Sequence, residues 1–180
     1  KSKTMRKEII EVDANRKIFR VTTLGERWYF KPAVQPATGL PEYNTYPSVT
    51  WITSFAHKGI EFYKWLASQG WNEAQAIKHE AGERGTRIHQ ACEWIDAGKI
   101  VTMDTPFPNE DAPPSALTPD EYRAVMTFCS WLDSEQPQLL ANEMTVFSEE
   151  HHYAGTLDRI YRLDGQIWIV DLKSSKSIWK

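Results

Sequence analysis

The sequence predicts an α/β domain, and three observations carry that reading. Helical periodicity runs through the middle of the chain, a strand hairpin is written near its end, and 180 residues are enough for one domain with a real core. The elements follow in order. Residues 17–30, rich in aromatic and β-branched side chains, read as an accessory hairpin broken near Leu24-Gly25. From Lys31 to Pro47 four prolines and small polar clusters read as loop. Ser48-Val49-Thr50 then leads into helical patterns at about 59–69 and 72–97, separated by Gly70. Five prolines between Asp104 and Pro119 mark a long irregular connection, a length usually associated with mobile or functional loops.

Thr118 reads as the N-cap of the next helix, with Pro119 at its first position and Glu121 closing a capping box. Tyr122, Val125, Met126, Cys129 and Leu132 give that helix one apolar face for the core. A strand over about 143–148 follows. The chain then reads Gly155-Thr156-Leu157-Asp158 and, beyond a hairpin, Asp171-Leu172-Lys173.

Asp164-Gly165 sits between two strand-like runs and suits a two-residue type I′ turn, which needs φ > 0 at both positions. That turn pairs Leu163 with Gln166, Ile160 with Ile169, and Asp158 with Asp171. The two carboxylates then become cross-strand neighbours with Cβ atoms roughly 4.5–5.5 Å apart. Like charges placed so destabilise a sheet, and a divalent cation is the simplest compensation. Lys173, two residues past Asp171, emerges on the same side. The plainer alternative is an exposed hairpin carrying ordinary charges; Ile160 and Ile169 on the carboxylate face favour partial burial instead.

A second stretch, Ala81 to Glu93, places Ile88, Cys92 and Ile95 at core spacing and Gly85, His89 and Glu93 on a neighbouring stripe. A helical glycine costs about 1 kcal/mol relative to Ala, so Gly82 and Gly85 suggest a surface that backbone or ligand approaches closely. His89 fits a structural histidine or a metal ligand, and spacing does not separate the two. Glu93 could orient its ring or pair with a nearby cation. His57, His79, His151 and His152 have no such context.

Composition narrows the classes. The formal charge of −3 does not advertise nucleic-acid binding, although Lys1, Lys3, Arg6 and Lys7 begin the chain and Lys173, Lys176 and Lys180 cluster near its end. Cys92 and Cys129 are the only cysteines, too few for a Cys₄ zinc site or an iron–sulfur cluster, and they suit a reduced, intracellular setting. No stretch reads as a signal peptide or a membrane span.

Taken together the motifs resemble the PD-(D/E)XK nuclease superfamily, in its RecB-like and phage exonuclease branch. Relatives of that branch include Cas4-type nucleases and the mitochondrial genome maintenance exonuclease. The matching segments run in family order over 46–180: Tyr46-Pro47-Ser48-Val49-Thr50, Gly85-Thr86-Arg87-Ile88-His89, Asn142-Glu143 with Val146, Gly155-Thr156-Leu157-Asp158, and Asp171-Leu172-Lys173. The resemblance implies a restriction-endonuclease-like αβββαβ core over 46–180, with 1–45 as an accessory hairpin and loop and with extra helices. The family's Gln-x-x-x-Tyr helix has no counterpart before Lys180, so the core would lack its last helix and strand.

The function implied is a metal-dependent DNA nuclease, an exonuclease acting on linear or single-stranded ends in recombination, repair or phage DNA processing. The rival is a DNA-binding or assembly module that keeps the fold without cleavage. By position, His89, Asp158, Asp171 and the Leu172 carbonyl would hold one or two Mg²⁺ or Mn²⁺ ions. Lys173 would position the attacking water and stabilise the phosphorane, and Glu143 would support the site. Products would carry a 5′-phosphate and a 3′-hydroxyl. DNA is the implied partner, with a recombination or single-strand-binding protein as a companion, no membrane and no iron–sulfur cluster. The expected location is the cytoplasm of a bacterial or phage-infected cell, with an organellar one left open.

Overall fold

A computed structural model of the chain describes residues 8–23, 26–34, 39–40, 42–109 and 113–174. Leu24 and Gly25, where the first hairpin was expected to break, lie outside the described residues. So do Lys1, Lys3, Arg6, Lys7, Lys176 and Lys180 of the basic clusters. The protein is mixed α/β, with two antiparallel sheets and four helices among the described residues.

The first sheet runs β1(Glu8–Asp13), β2(Ile18–Thr22), β3(Arg27–Pro32), β4(Tyr43–Pro47), in that spatial order. It is larger than the single hairpin expected. Pairing of Pro32 with Tyr43 and of Trp28 with Pro47 makes a strand of residues that the prolines had suggested were loop. Pro47 is tolerated because it ends the edge strand β4, where a missing N–H leaves no ladder gap, and Pro32 stands last in β3. Helices α1(Val49–Ser54), α2(Ile60–Gln69), α3(Trp71–Asp96) and α4(Pro119–Glu135) follow, and then β5(Gln138–Ser148), β6(Tyr153–Leu163) and β7(Gln166–Val170) form the second sheet in the order β5-β6-β7.

Local chemistry explains the boundaries. Gly70, at φ 78°, closes α2 and opens α3, a backbone state that disfavours residues bearing Cβ. The capping box at α4 forms as the sequence predicts: Thr118 Oγ1 accepts from Glu121 N at 3.3 Å, and the Glu121 carboxylate accepts from Thr118 N at 2.7 Å. The Asp164-Gly165 turn has φ 50° and 76°, as type I′ requires, and it sets Leu163↔Gln166 and Ile160↔Ile169.

The chain divides into two compact units, Lys1–His57 with Met144–Leu157, and Lys58–Glu143 with Asp158–Lys180. This differs from a division at residue 46, since the first unit also takes Tyr46–His57 and a returning segment. In it, buried Tyr29, Tyr46 and Ala154 pack with Phe147. Tyr46 donates to Glu149 at 2.5 Å, Tyr29 and Thr156 share a hydrogen bond of 2.9 Å, and Ser48 bridges to Ala154.

The second unit has its own core of Ile88, Ala91 and Cys92 from α3, Phe107 and Leu117 from the proline-rich connection, and Val125 and Phe128 from α4. Phe107 and Leu117 pin the ends of that connection, and a bridge joins Phe107 to Ser115. The inward face of α4 is Glu121, Val125 and Phe128; Met126, expected inside, is exposed because the helix is turned toward Phe128. Leu172 also packs on this core, which anchors the segment after β7.

Candidate functional site

The second unit brings three candidate ligand residues together. His89, Glu143 and Asp158 offer ligand atoms that all lie within 4.8 Å of one another. His89 sits on α3, two turns before its end, where Ile88 and Cys92 of the same helix lock the core side. Asp158 lies within β6. Glu143 lies within β5 at φ 48°, a left-handed conformation rare for a residue with Cβ, and the in–out burial alternation of the strand breaks there. Backbone strain of this kind typically costs about 1–3 kcal/mol and clusters at functional sites. Here it turns the Glu143 carboxyl toward His89 and Asp158.

Hydrogen bonds fix the orientation of the cluster. Leu172 N donates to Asp158 Oδ2 at 2.9 Å, and His89 Nε2 lies 3.0 Å from the Leu172 carbonyl oxygen. A carbonyl only accepts, so Nε2 carries the hydrogen and Nδ1 faces Asp158 Oδ2 at 3.5 Å. A nitrogen lone pair opposite a carboxylate is repulsive unless a proton or a metal cation stands between them. The donor set of one imidazole and two carboxylates therefore fits a divalent ion by its chemistry. Glu143 tells the same story: desolvation foremost, then Asp158 and Glu93, push its carboxyl above the usual range, against a smaller opposing pull from His89 and Arg159. The residue as a whole is exposed, although its carboxyl has other acids for neighbours.

Asp171 and Lys173 stand differently from the expectation. β7 ends at Val170, so the ladder stops one pair short of Asp158 opposite Asp171. The chain turns after Val170, and the Leu172 amide rather than the Asp171 side chain meets Asp158. Asp171 instead pairs with Lys173 at 2.6 Å, both side chains largely exposed. The Leu172 carbonyl, expected as a ligand, accepts from His89. Ile160 is half-buried while Ile169 is 65% exposed, so the carboxylate face is covered less than expected.

Close approach to the glycine face of α3 holds at one position. A Cβ on Gly85 would lie 3.3 Å from Ser174 Oγ, and Arg84 donates to the Ser174 carbonyl, whereas Gly82 faces open space. His57, His79, His151 and His152 are all exposed. Sequence reasoning missed Asp96, Arg159 and Tyr161. Arg159 Nε donates to Asp96 at 2.6 Å and Tyr161 Oη donates to it at 2.7 Å. The available signal was an aspartate in the last turn of a helix, where the macrodipole disfavours negative charge.

No helix among the described residues is long and apolar enough to cross a membrane. Comparison with protein-family models, with curated proteins and with solved structures found no match to this chain.

Proposed function

We propose that this chain is a divalent-metal-dependent DNA nuclease, an exonuclease acting at linear or single-stranded ends. The observation that carries the reading is the convergence of His89, Glu143 and Asp158 from three separate elements, with imidazole Nδ1 3.5 Å from an Asp158 carboxylate oxygen. Mg²⁺ or Mn²⁺ would be held by His89 and the carboxylates of Glu143 and Asp158. Such an ion supplies Lewis-acid polarisation of a phosphoryl oxygen and a water activated at neutral pH.

The protein's own groups supply the rest. The Leu172 carbonyl fixes the His89 tautomer, and the Leu172 amide fixes the Asp158 carboxylate; such outer partners orient ligands. Glu143, held above the usual carboxylate range by desolvation and its acidic neighbours, is suited to hold or pass a proton beside the reacting phosphate. Lys173, released from Asp171, would place its ammonium where charge grows on the phosphoryl oxygens. The resemblance to PD-(D/E)XK nucleases supplies the polymer and the product pattern.

The Asp171–Lys173 ion pair favours a second reading, a DNA-binding module without cleavage, because it occupies both groups with each other. One assay separates the two. Purified protein is incubated with end-labelled linear and with circular DNA, in Mg²⁺, Mn²⁺ or EDTA. Loss of linear DNA only with metal, abolished by Asp158→Ala and by Lys173→Ala, is the expected result. Binding without cleavage under every metal condition overturns the nuclease reading.

A further inference from the structure

We infer that the Asp96–Arg159–Tyr161 network is the positioning device of the metal centre, fixing α3 against β6 so that His89 and Asp158 keep ligand spacing. The inference rests on the metal-site reading above. Asp96 lies seven residues beyond His89 on α3, two turns along the same face and roughly 10 Å away. Arg159 directly follows Asp158 on β6. The helix and the strand are thus joined twice, once at the candidate ligands and once at a buried anchor.

The anchor is dry and directional. The Arg159 and Asp96 side chains are 1% and 2% exposed, and Tyr161 is 1% exposed. Arg159 Nε and Tyr161 Oη take one carboxylate oxygen each, so sliding or rotating α3 breaks at least one bond. Apolar contacts such as those of Ile88 and Cys92 are non-directional and tolerate small slips. Burial and the Asp96 partner both raise the Tyr161 hydroxyl, which stays a donor.

Stability alone explains this arrangement poorly. A buried ion pair is often no better than apolar residues of the same volume. This one also leaves Arg159 Nη1 and Nη2 buried without hydrogen-bond partners over the Phe128 ring, and it sets an acid against the α3 dipole. Three unfavourable features kept at one point are accounted for by a geometric requirement nearby. Partners that orient metal ligands typically change metal affinity 10–100-fold when removed.

The test is Mn²⁺ affinity, by calorimetry and by the electron-spin signal of free Mn²⁺, on the full chain. The proteins compared are wild type, Tyr161→Phe, Asp96→Asn, Arg159→Lys and the core control Val125→Ala, with melting curves for each. Positioning predicts roughly 10-fold weaker Mn²⁺ binding for Tyr161→Phe and a comparable loss for Arg159→Lys, since an ammonium keeps the charge but not the Nε–H that holds Asp96. Val125→Ala should lower the melting temperature and leave Mn²⁺ affinity unchanged. Should Asp96→Asn fail to fold, Tyr161→Phe, which loses a single hydroxyl, carries the comparison. Wild-type affinity in a folded Tyr161→Phe protein overturns the positioning role while sparing the metal site. Absence of Mn²⁺ binding by wild type overturns the site reading, and the positioning role with it.

Discussion

Glu121 and Glu143 both approach helix α3, the first at Arg87 and the second near His89 two residues later. Glu121 is buried and meets a guanidinium, through Nη2 at 2.6 Å and Nε at 3.2 Å, as well as the Thr118 amide. Burial is the largest single influence and would raise its carboxyl, yet Arg87 and Thr118 together hold it below the usual range. Glu143 is more exposed as a residue, yet desolvation of its carboxyl first, and then Asp158 and Glu93, hold it above that range. One carboxylate is satisfied by its surroundings and locks α4 to α3. The other is frustrated, held in a left-handed backbone conformation with acids for neighbours. Burial raises both carboxyls; whether neighbours of opposite sign offset it separates the two.

The largest effect expected is structural. Arg87→Met strands Glu121 as a buried unpaired charge, a loss of about 3–5 kcal/mol. For a chain of this size that corresponds to a fall of about 10 °C in melting temperature. Because the folded-state value of Glu121 is lowered, its stabilisation is fully present above the ordinary value of 4.5 and is lost as pH falls through the folded value. Melting curves of wild type and Arg87→Met should converge as the solution is acidified. Equal separation at every pH would show that the ion pair contributes nothing.

Next comes the centre itself. Asp158→Ala should weaken Mn²⁺ binding by more than about 100-fold, beyond what loss of an outer partner costs. Asp171→Ala should keep Mn²⁺ affinity within roughly fivefold, the most an exposed ion pair is worth. Equal losses in the two variants would put Asp171 in the ligand set, as the family pattern has it.

Glu143→Gln sharpens the contrast from the other side. Its raised folded-state value means that the Glu143 penalty is absent below the ordinary value of 4.5 and grows as pH rises through the folded value. In EDTA the variant should therefore melt higher than wild type at neutral pH and equally in acid, and any rise in melting temperature that wild type shows with Mn²⁺ should be lost in it. A variant that melts lower at neutral pH contradicts the frustrated-acid account.

The smallest effect separates the two glycines. Gly82→Ala meets nothing within 4 Å and should gain about 1 kcal/mol of helix stability. Gly85→Ala meets Ser174 Oγ at 3.3 Å and should gain less, because the hydroxyl must move aside. Denaturant midpoints of the two variants decide the order.

What could be read from the sequence was what neighbouring residues settle among themselves. The Asp164-Gly165 turn, its hairpin register and the Thr118–Glu121 box depend on backbone angles and hydrogen bonds within a few positions, and all three formed as expected. The meeting of His89 with Asp158 came from motif order, and neither residue's spacing implied it alone. Three features stayed hidden because they depend on distant chain. Asp171 leaves the ladder where Leu172 packs on the α3–α4 core; Glu143 takes a left-handed turn inside a strand; and Tyr43–Pro47 becomes a strand by docking on β3 despite the prolines around it and at its end.

The first unit is discontinuous: its sheet of 8–47 and the helix α1 are completed by Met144–Leu157, with Lys58–Glu143 intervening. That fact sets a timetable for synthesis on the ribosome. Tyr46 cannot meet Glu149, nor Tyr29 meet Thr156, until the late segment has emerged, which at ordinary elongation rates is on the order of 5–20 s after Pro47. For that interval Tyr46 on the edge strand β4 stays uncovered, the kind of transient surface that chaperones bind and that pairs wrongly at high expression. Slowing initiation, which lowers the concentration of such chains, should thus raise the soluble yield.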